Sequence, residues 1–208
     1  MTRIIAGRAR SARLAVPRTG TRPTSERVRE AIFSSLDSWD AVAGARVLDL
    51  YAGSGALGLE AASRGAASVV LVERNTKAAA LCRANADVVR RALGVKGEGL
   101  PVTVAPHSVR SYLSTAGDAV DLVLIDPPYD LGDDDLAQDL DAVSRLVSPD
   151  AVIVVERSTR SPEPRWPSGV EPLRSRDYGE TRVWFASPET EETVAEDDAP
   201  TITGSTET

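Results

Sequence analysis

The residues best suited to chemistry lie at the end of an apolar run, in the stretch DLVLIDPPYDLG. Asp126 is followed there by Pro127, Pro128 and Tyr129. Because prolines fix φ and stiffen the turn, the Asp126 carboxylate and the Pro127 carbonyl are presented as fixed acceptors. Two acceptors match the two hydrogens of an exocyclic NH₂ group, and the flat ring of Tyr129 offers a surface for a nucleobase. We predict that Asp126 and Pro127 orient a reacting nitrogen while Tyr129 holds its base.

A second candidate site follows the first apolar strand, where ARVLDLYAGSGALGLE contains the pattern G-x-G-x-x-G. Glycines at a strand-to-helix turn permit a tight backbone and let a ligand approach the helix N-terminus. Glu73 follows Gly53 by 20 residues, where an acid can hold both hydroxyls of a ribose. The third glycine, Gly58, is equally compatible with close helix–strand packing. The residues predicted here to bind a cofactor are Asp49, Tyr51, Gly53, Ser54, Gly55, Glu73 and Arg74.

Asp49 favours a methyl donor over NAD, although the glycine spacing fits both. It lies within the end of the strand, four residues before Gly53. S-adenosylmethionine has no pyrophosphate, but it carries an α-ammonium group that needs acceptors, and Ser54 adds a hydroxyl. The only histidine, His107, follows the third strand, so no persuasive site for hydride transfer is present. S-adenosylmethionine is therefore the predicted cofactor, with S-adenosylhomocysteine as product.

The elements that must position both sites alternate between strand and helix. This alternation, with strands apolar throughout, predicts a parallel, doubly wound α/β sheet, and a closing hairpin near Tyr178 and Gly179 adds one antiparallel strand. Ligands bind beyond the carboxyl ends of the central strands of such sheets, so the two candidate sites are expected to face each other. We predict strands over 45–53, 67–75, 100–107, 119–126 and 150–158, and helices over 22–36 (capped by Thr24 or Ser25), 56–65, 76–94, 108–115 and 134–147.

The charge of the chain is segregated, and the net value of −7 conceals a basic N-terminus. Residues 1–30 contain eight arginines and two acids, whereas residues 187–208 contain seven acids and no basic residue. A basic arm on an acidic body is typical of a nucleic-acid-binding surface. We predict an RNA-binding arm and helix (1–40), a cofactor-binding domain (41–186) and a disordered acidic tail (187–208). The predicted RNA contacts are Arg3, Arg8, Arg10, Arg13, Arg22 and Arg27, and the whole Arg22–Arg29 segment is expected to hold the RNA backbone.

Composition excludes several other classes of protein. A single cysteine, Cys82, excludes an internal disulfide and fits a reducing compartment, and a single histidine leaves little room for a multi-histidine metal site. No apolar run approaches the roughly 20 residues of a membrane span, and the N-terminus lacks the apolar region of a signal peptide. We expect a soluble, cytoplasmic monomer that needs no metal.

Together these motifs resemble a known family. Asp126-Pro127-Pro128-Tyr129 looks like the [DNS]-P-P-[YFW] signature of amino methyltransferases. With DLYAGSGALGLEAASRGA it more narrowly resembles the RsmD-type enzymes, which methylate the N2 amino group of one guanine in 16S (small-subunit) ribosomal RNA. The segments RIIAGRARSARLAVP, RPTSERVREAIFSSL and YGETRVW are similar to that family's flanking segments. The resemblance covers about residues 3–186.

The resemblance implies a seven-stranded Rossmann-like methyltransferase sheet, S-adenosylmethionine as donor and 16S rRNA as substrate, within the small ribosomal subunit or its assembly intermediate. Many such enzymes carry an acid or amide after the third strand to contact the adenine. This chain has Pro106, His107 and Ser108 there. Ser108 or a backbone N–H is expected to make the adenine contact instead.

Three other functions remain open from the sequence. The first is an amino methyltransferase for adenine N6 of DNA or RNA, or for a protein glutamine, although glutamine enzymes favour Asn at the position of Asp126. The second is a non-catalytic RNA-binding or ribosome-assembly protein on the same fold. The third is an NAD-dependent oxidoreductase. Titrations with S-adenosylmethionine and with NADH separate the last two from the methyltransferases.

Overall fold

A seven-stranded sheet forms the centre of the computed structural model, which describes residues 1–17, 25–94 and 102–189. Its strands are β3 (Arg46–Leu50), β4 (Ser68–Val72), β5 (Val102–Ala105), β6 (Val120–Ile125), β7 (Val147–Ser158), β8 (Val170–Tyr178) and β9 (Thr181–Pro188). The order across the sheet is β5-β4-β3-β6-β7-β9-β8. Strands β3 to β7 are parallel, and β9 runs antiparallel to both of its neighbours. The predicted doubly wound sheet with one antiparallel strand is confirmed.

Helices in the described parts of the chain connect these strands and cover both faces of the sheet. They are α1 (Glu26–Asp37), α2 (Ala56–Ser63), α3 (Thr76–Ala92), α4 (Val109–Leu113) and α5 (Asp133–Ser144). Ser25 caps α1 by accepting a 3.2 Å hydrogen bond from the Val28 N–H. The alternative cap, Thr24, lies outside the described residues. None of these helices combines the length and the apolar character that a membrane crossing requires.

Two apolar layers enclose the sheet, because successive side chains of a strand point to opposite faces. Val47 of β3 belongs to the layer under α1, α2 and α3, whereas Leu48 and Leu50 belong to the layer under α4 and α5. Burial on both faces explains why the central strands are apolar throughout their length. The carboxyl ends of β3, β4, β6 and β7 therefore meet at one edge, which is where the polar turns lie.

The N-terminal arm forms a hairpin that the sequence did not predict. Strands β1 (Thr2–Arg3) and β2 (Arg13–Leu14) pair antiparallel, and Ile4, Ala9 and Leu14 are buried in the layer under α1 to α3. The Glu60 carboxylate of α2 accepts hydrogen bonds from the backbone N–H groups of Ile5 and Ala6, at 2.8 and 2.9 Å. The arm is thus packed onto the sheet domain over most of its described length.

Several predicted boundaries differ from those observed. Strand β7 begins at Val147 rather than at 150, because Val147 pairs with Val120 before a register shift in the β6–β7 ladder. Helix α4 is shorter than predicted, with Ser108 as its N-cap. Strand β9 extends to Pro188, past the predicted end of the domain at 186. Residues 190–208, which hold most of the predicted disordered tail, lie outside the described residues.

Candidate active site

A cavity of about 320 Å³ opens beyond the carboxyl ends of β3, β4, β6 and β7, which is the usual position of ligands in doubly wound sheets. The turn after β3 contributes residues 51–54 to its wall, and the segment after β6 contributes residues 126–129. Residues 73–75 after β4 and residues 156–158 of β7 complete most of the lining. The two sites predicted from the sequence therefore form a single cavity.

The turn after β3 is built from left-handed backbone. Tyr51, Gly53 and Gly55 have φ angles of 62°, 57° and 78°, and Gly55 is the N-cap of α2. Glycine adopts this conformation at little cost, whereas a tyrosine there is strained. A Cβ on Gly55 would lie 2.9 Å from Leu71 Cδ1. Gly55 therefore packs against β4 beneath the turn, while Gly53 and Ser54 line the cavity.

Asp49 is a carboxylate buried below this turn, at the edge of the cavity. Its Oδ2 accepts a 2.8 Å hydrogen bond from the Gly58 N–H, and no other described residue donates to it. Burial raises the pKa of Asp49 to about 8; the Gly58 hydrogen bond opposes this shift, and the neighbouring carboxylates of Asp126 and Glu73 add to it. Without a cation beside it, Asp49 is therefore largely protonated at neutral pH.

Gly58 permits the close packing that brings its N–H to Asp49. A Cβ on Gly58 would lie 2.5 Å from Leu71 Cδ2, 2.9 Å from Val69 Cγ1 and 3.1 Å from the Asp49 Cβ. Because these distances are shorter than ordinary contacts between carbon atoms, α2 can approach β3 and β4 this closely only with glycine at this position. The third glycine of the motif therefore serves helix–strand packing.

Glu73 closes the wall formed by the end of β4. Its Oε2 accepts a 2.9 Å hydrogen bond from the Gly53 N–H, and its Oε1 accepts a 2.7 Å hydrogen bond from the Asn75 N–H. The side chain of Asn75 in turn caps α3. Arg74 is exposed at the rim of the cavity. Glu73 thus ties the glycine turn to the end of β4 while part of its side chain remains accessible.

Tyr51 connects the cavity wall to α5. Its hydroxyl donates a short hydrogen bond to Oδ2 of the buried Asp139. Burial raises the pKa of both groups, and the Tyr51 hydrogen bond partly offsets the shift for Asp139. Tyr51 therefore stays neutral, and its strained backbone is held by the hydrogen bond of its side chain to α5.

The segment after β6, the strand next to β3, forms another part of the wall. Asp126, Pro127, Pro128 and Tyr129 all line the cavity. Pro127 is buried, whereas 74% of the Tyr129 surface is exposed. The Pro128 carbonyl accepts a 3.0 Å hydrogen bond from the Leu131 N–H, which closes a turn around the tyrosine. This turn holds the backbone after Pro128 and leaves the aromatic ring open to solvent.

The end of β7 braces this wall, although no pattern in the sequence pointed to it. Only 9% of the Arg157 side chain is exposed, and its guanidinium donates to the Leu131 carbonyl at 3.1 Å and to Asp133 at 2.9 Å. Glu156 and Ser158 line the cavity beside Asp126 and its neighbours. These residues lie at the end of a strand with an ordinary apolar pattern, so only the sheet order brings them to the site.

The arginines of the arm and α1 divide into exposed and structural groups. Arg3 pairs with Glu26 at 3.1 Å, and the Arg8 guanidinium donates to the Leu93 carbonyl at 3.2 Å; both side chains remain exposed. Three more are exposed and make no ion pair with any residue in the described ranges: Arg10, Arg13 and Arg27. Arg22 lies outside those ranges.

Arg29 corrects the expectation that the whole Arg22–Arg29 segment holds RNA. Its side chain is fully buried, 3.7 Å from Glu60 Oε2, and it donates to the Thr2 hydroxyl and to the Arg3 carbonyl. Burial lowers its pKa. Arg29 fastens the hairpin to α1 and α2 and cannot contact RNA.

Comparison with known proteins agrees with this geometry. Residues 2–187 match the family described as conserved hypothetical protein 95. The chain belongs to this family. Ribosomal RNA small subunit methyltransferase D of Haemophilus influenzae is 30% identical over 165 residues, which are 77% of this chain and 80% of that protein. The protein of the same name from Escherichia coli K12 is 38% identical over 131 residues, and the match spans 62% of this chain and 61% of that relative's length.

A solved structure supports the same assignment. The Escherichia coli protein yhhF has a TM-score of 0.76 and 30% identity, over 90% of this chain and 98% of that one. The RsmD-type resemblance of the motifs is thus confirmed, as is the Rossmann-like methyltransferase sheet.

Within this member of the conserved hypothetical protein 95 family, most of the predicted site residues share the cavity. Nine line it: Asp49, Tyr51, Gly53, Ser54, Glu73, Arg74, Asp126, Pro127 and Tyr129. Gly55 lies beneath the turn, and the Ser108 hydroxyl caps α4 by accepting from the Ser111 N–H at 3.2 Å. Val109, the next residue, lines the cavity in place of Ser108. Because Val109 is apolar, nothing in the sequence after the third predicted strand, which is β5, marked it as a residue of the cavity.

Proposed function

We propose that this protein transfers a methyl group from S-adenosylmethionine to the exocyclic N2 amino group of a guanine in 16S ribosomal RNA. One observation carries the proposal: the glycine turn after β3 and the Asp126–Tyr129 segment after β6 line the same cavity. The first motif suits a nucleoside cofactor, and the second suits an amino group on a stacked base. We call the wall formed by Asp49, residues 51–54 and Glu73 the donor side, and the wall formed by Asp126–Tyr129 the acceptor side.

The donor side fits a ligand that carries both a cation and a ribose. Asp49 is a buried carboxylate with one hydrogen bond from the described residues and a raised pKa, so an α-ammonium group would supply the positive charge that its ionised form lacks. Glu73 is half-buried at the end of β4 and can turn an oxygen towards two ribose hydroxyls. Bound there, S-adenosylmethionine would provide an electrophilic methyl group facing the acceptor side.

The acceptor side acts by orientation. The Asp126 carboxylate and the Pro127 carbonyl accept the two N–H bonds of the guanine amino group, which points the nitrogen lone pair at the methyl carbon. When bound, S-adenosylmethionine would supply the methyl group and leave as S-adenosylhomocysteine, while Asp126 and Pro127 would hold the amino nitrogen in place and its released proton would pass to water. Positioning of this kind can contribute roughly 7–11 kcal/mol in well-aligned reactions. Tyr129 stacks on the flipped base.

The exposed arginines support an RNA substrate. Arg10, Arg13 and Arg27, together with Arg3 and Arg8, present positive charge on the hairpin and the first turn of α1. Arg22, which lies outside the described residues, is also expected to contact the RNA. These side chains suit the phosphate backbone of 16S rRNA, in the small ribosomal subunit or an assembly intermediate. We also propose that the protein acts as a monomer.

The test is methyl transfer from a labelled donor to small ribosomal subunits that lack the modification, followed by nucleoside digestion and chromatography. The proposal predicts label in N2-methylguanosine. Label in N6-methyladenosine or in the protein fraction would assign the chain to the adenine or glutamine alternative. If no label is incorporated and calorimetry detects no binding of S-adenosylhomocysteine, a non-catalytic RNA-binding role replaces the enzyme; NADH binding in the same titration would indicate an oxidoreductase.

A further inference from the structure

Asn85 is a buried side chain that bonds at once to the N-terminal arm and to the glycine turn. Only 2% of it is exposed. Its Oδ1 accepts a 2.9 Å hydrogen bond from the Ala15 N–H, and its Nδ2 donates to the Ala15 carbonyl at 2.9 Å and to the Ser54 carbonyl at 2.8 Å. Ala15 follows β2, and Ser54 lines the cavity. One amide thus joins the arm to the donor side.

The same face of α3 holds the neighbouring peptide of the turn. The Cys82 thiol, one helical turn before Asn85, donates to the Gly53 carbonyl at 3.2 Å. Hydrogen bonds from Cys82 and Asn85 of α3 therefore hold the carbonyls of residues 53 and 54. The arm reaches the cavity itself, because Pro17, two residues after Ala15, is part of the cavity wall.

The position requires an amide specifically. It must accept one hydrogen bond and donate two within a buried site, and asparagine is the smallest side chain with both capacities. An aspartate keeps the acceptor for the Ala15 N–H but offers no donor to the two carbonyls when ionised. Because buried polar groups are costly when unpaired, the arm and the turn each depend on the orientation of this one side chain.

We infer that Asn85 is a positioning residue that couples RNA contact by the arm to binding of the methyl donor. The inference rests on the proposed function. With the end of the arm (residues 15–17) docked, the amide makes three hydrogen bonds and Pro17 closes the cavity wall; with this segment displaced, the amide loses two of them and the wall loses Pro17. RNA and donor both favour the docked arm, so each strengthens binding of the other by the same factor.

The experiment measures the affinity of the full-length protein for small subunits lacking the modification, with and without saturating S-adenosylhomocysteine. For the wild-type chain we expect the ligand to tighten RNA binding by at least about fivefold, the lower end of typical couplings. Asn85→Asp should reduce this factor to below about twofold. The matched control is Ala84→Asp, which adds the same carboxylate at the exposed neighbouring position on α3 and should keep the wild-type factor.

A second variant leaves Asn85 intact and serves if Asn85→Asp fails to fold. Ala15→Pro removes the N–H that donates to Asn85, at a position whose side chain is exposed and which directly follows the extended residue Leu14. It should also abolish most of the coupling, and a cooperative thermal transition shows that the variant is folded. Wild-type coupling in either folded variant would overturn the inference.

The outcomes also separate this inference from the proposed function. RNA binding that depends on Arg10 and Arg13 but is unaffected by S-adenosylhomocysteine in the wild-type chain overturns the coupling alone. RNA binding that is indifferent to Arg10→Ala and Arg13→Ala overturns the RNA role of the arm, and the coupling with it.

Discussion

The two sides of the cavity differ in exposure, since Asp49 and Ser54 of the donor side are buried whereas Tyr129 of the acceptor side is open to solvent. On the donor side, Gly53 and Ser54 are bonded through Cys82, Asn85 and Glu73, and Asp49 is bonded to Gly58. On the acceptor side, the ring of Tyr129 is mostly exposed. In the proposed function, the donor side receives a small ligand and the acceptor side receives a large substrate that brings its own base. Substitutions should therefore act differently on the two sides.

The largest effect is expected on the acceptor side. Asp126→Ala removes one of the two acceptors that aim the amino group, and a misplaced nucleophile can cost about 100-fold in rate. We expect methyl transfer to small subunits to fall by at least that factor, measured on protein whose cooperative thermal transition shows that it is folded. Asp130→Ala, at an exposed acid outside the cavity lining, is the control and should stay within about twofold of the wild type, since surface substitutions are usually near neutral. Equal losses in both variants would contradict the role of Asp126.

Tyr129→Ala should affect substrate binding without affecting stability. Stacking of a base on an aromatic side chain contributes about 1–3 kcal/mol, so we expect kcat/KM for the small subunit to fall roughly 5- to 150-fold. The unfolding midpoint in urea should not change, because 74% of the tyrosine is exposed. Tyr129→Phe keeps the ring and should retain most of the activity; a loss as large as that of the alanine variant would instead point to the hydroxyl.

Gly58→Ala, next to the donor side, should show the reverse of the Tyr129→Ala pattern. It should lower the stability of the protein before it affects substrate binding. The added methyl group would lie 2.5 Å from Leu71 Cδ2, and overpacking of this kind costs about 1–3 kcal/mol, partly offset by the higher helix propensity of alanine. The free energy of unfolding from urea titration should fall accordingly. Gly117→Ala, where nothing lies within 4 Å of the added carbon, is the matched control and should change stability by less than about 0.5 kcal/mol.

A further effect concerns pH. The pKa of Asp49 is raised to about 8, so in the free protein the carboxyl must release a proton before it can pair with an ammonium group. Affinity for S-adenosylhomocysteine should therefore rise between pH 6 and pH 8, by at most about tenfold per unit. Asp49→Asn cannot titrate and should bind weakly with a flat pH profile; an unchanged slope would assign the proton to another group.

A rise in pH should strengthen ligand binding through Asp49, but it should weaken the contribution of Asp49 to folding stability. Because the pKa of Asp49 is higher in the folded chain than its ordinary value of 3.8, the folded state holds the proton more tightly than the unfolded state. The contribution of Asp49 to stability therefore falls as pH rises from about 4 to about 8. Urea titrations of wild type and Asp49→Asn at pH 5 and pH 8 measure this difference.

The sheet and both site motifs were predictable because their signals are local. Apolar strands ending in a glycine turn or in Asp126-Pro-Pro-Tyr129 are read from fewer than 20 consecutive residues. Asn85 and Glu60 were not predictable, since their backbone partners lie at sequence separations of 70 and 55 residues. In an alanine-rich helix, nothing nearby distinguishes such a residue from an exposed polar one.

Arg29 shows where a local signal was present but not used. It lies three, four and seven residues before Ile32, Phe33 and Leu36, all of which are buried. That spacing places Arg29 on the apolar face of α1. The expectation that Arg29 contacts RNA rested on its charge alone. The helical spacing indicates instead that Arg29 is buried beside a partner, and that partner is Glu60.

The most direct test of the two-sided cavity is calorimetric titration of S-adenosylhomocysteine into the wild-type, Asp49→Ala and Asp126→Ala proteins. The two carboxylates line the same cavity. We predict that Asp49→Ala weakens binding at least tenfold, while Asp126→Ala stays within about threefold of the wild type, a difference of about 0.7 kcal/mol between the variants at minimum. Equal loss of binding in the two variants would contradict the division into a donor side and an acceptor side.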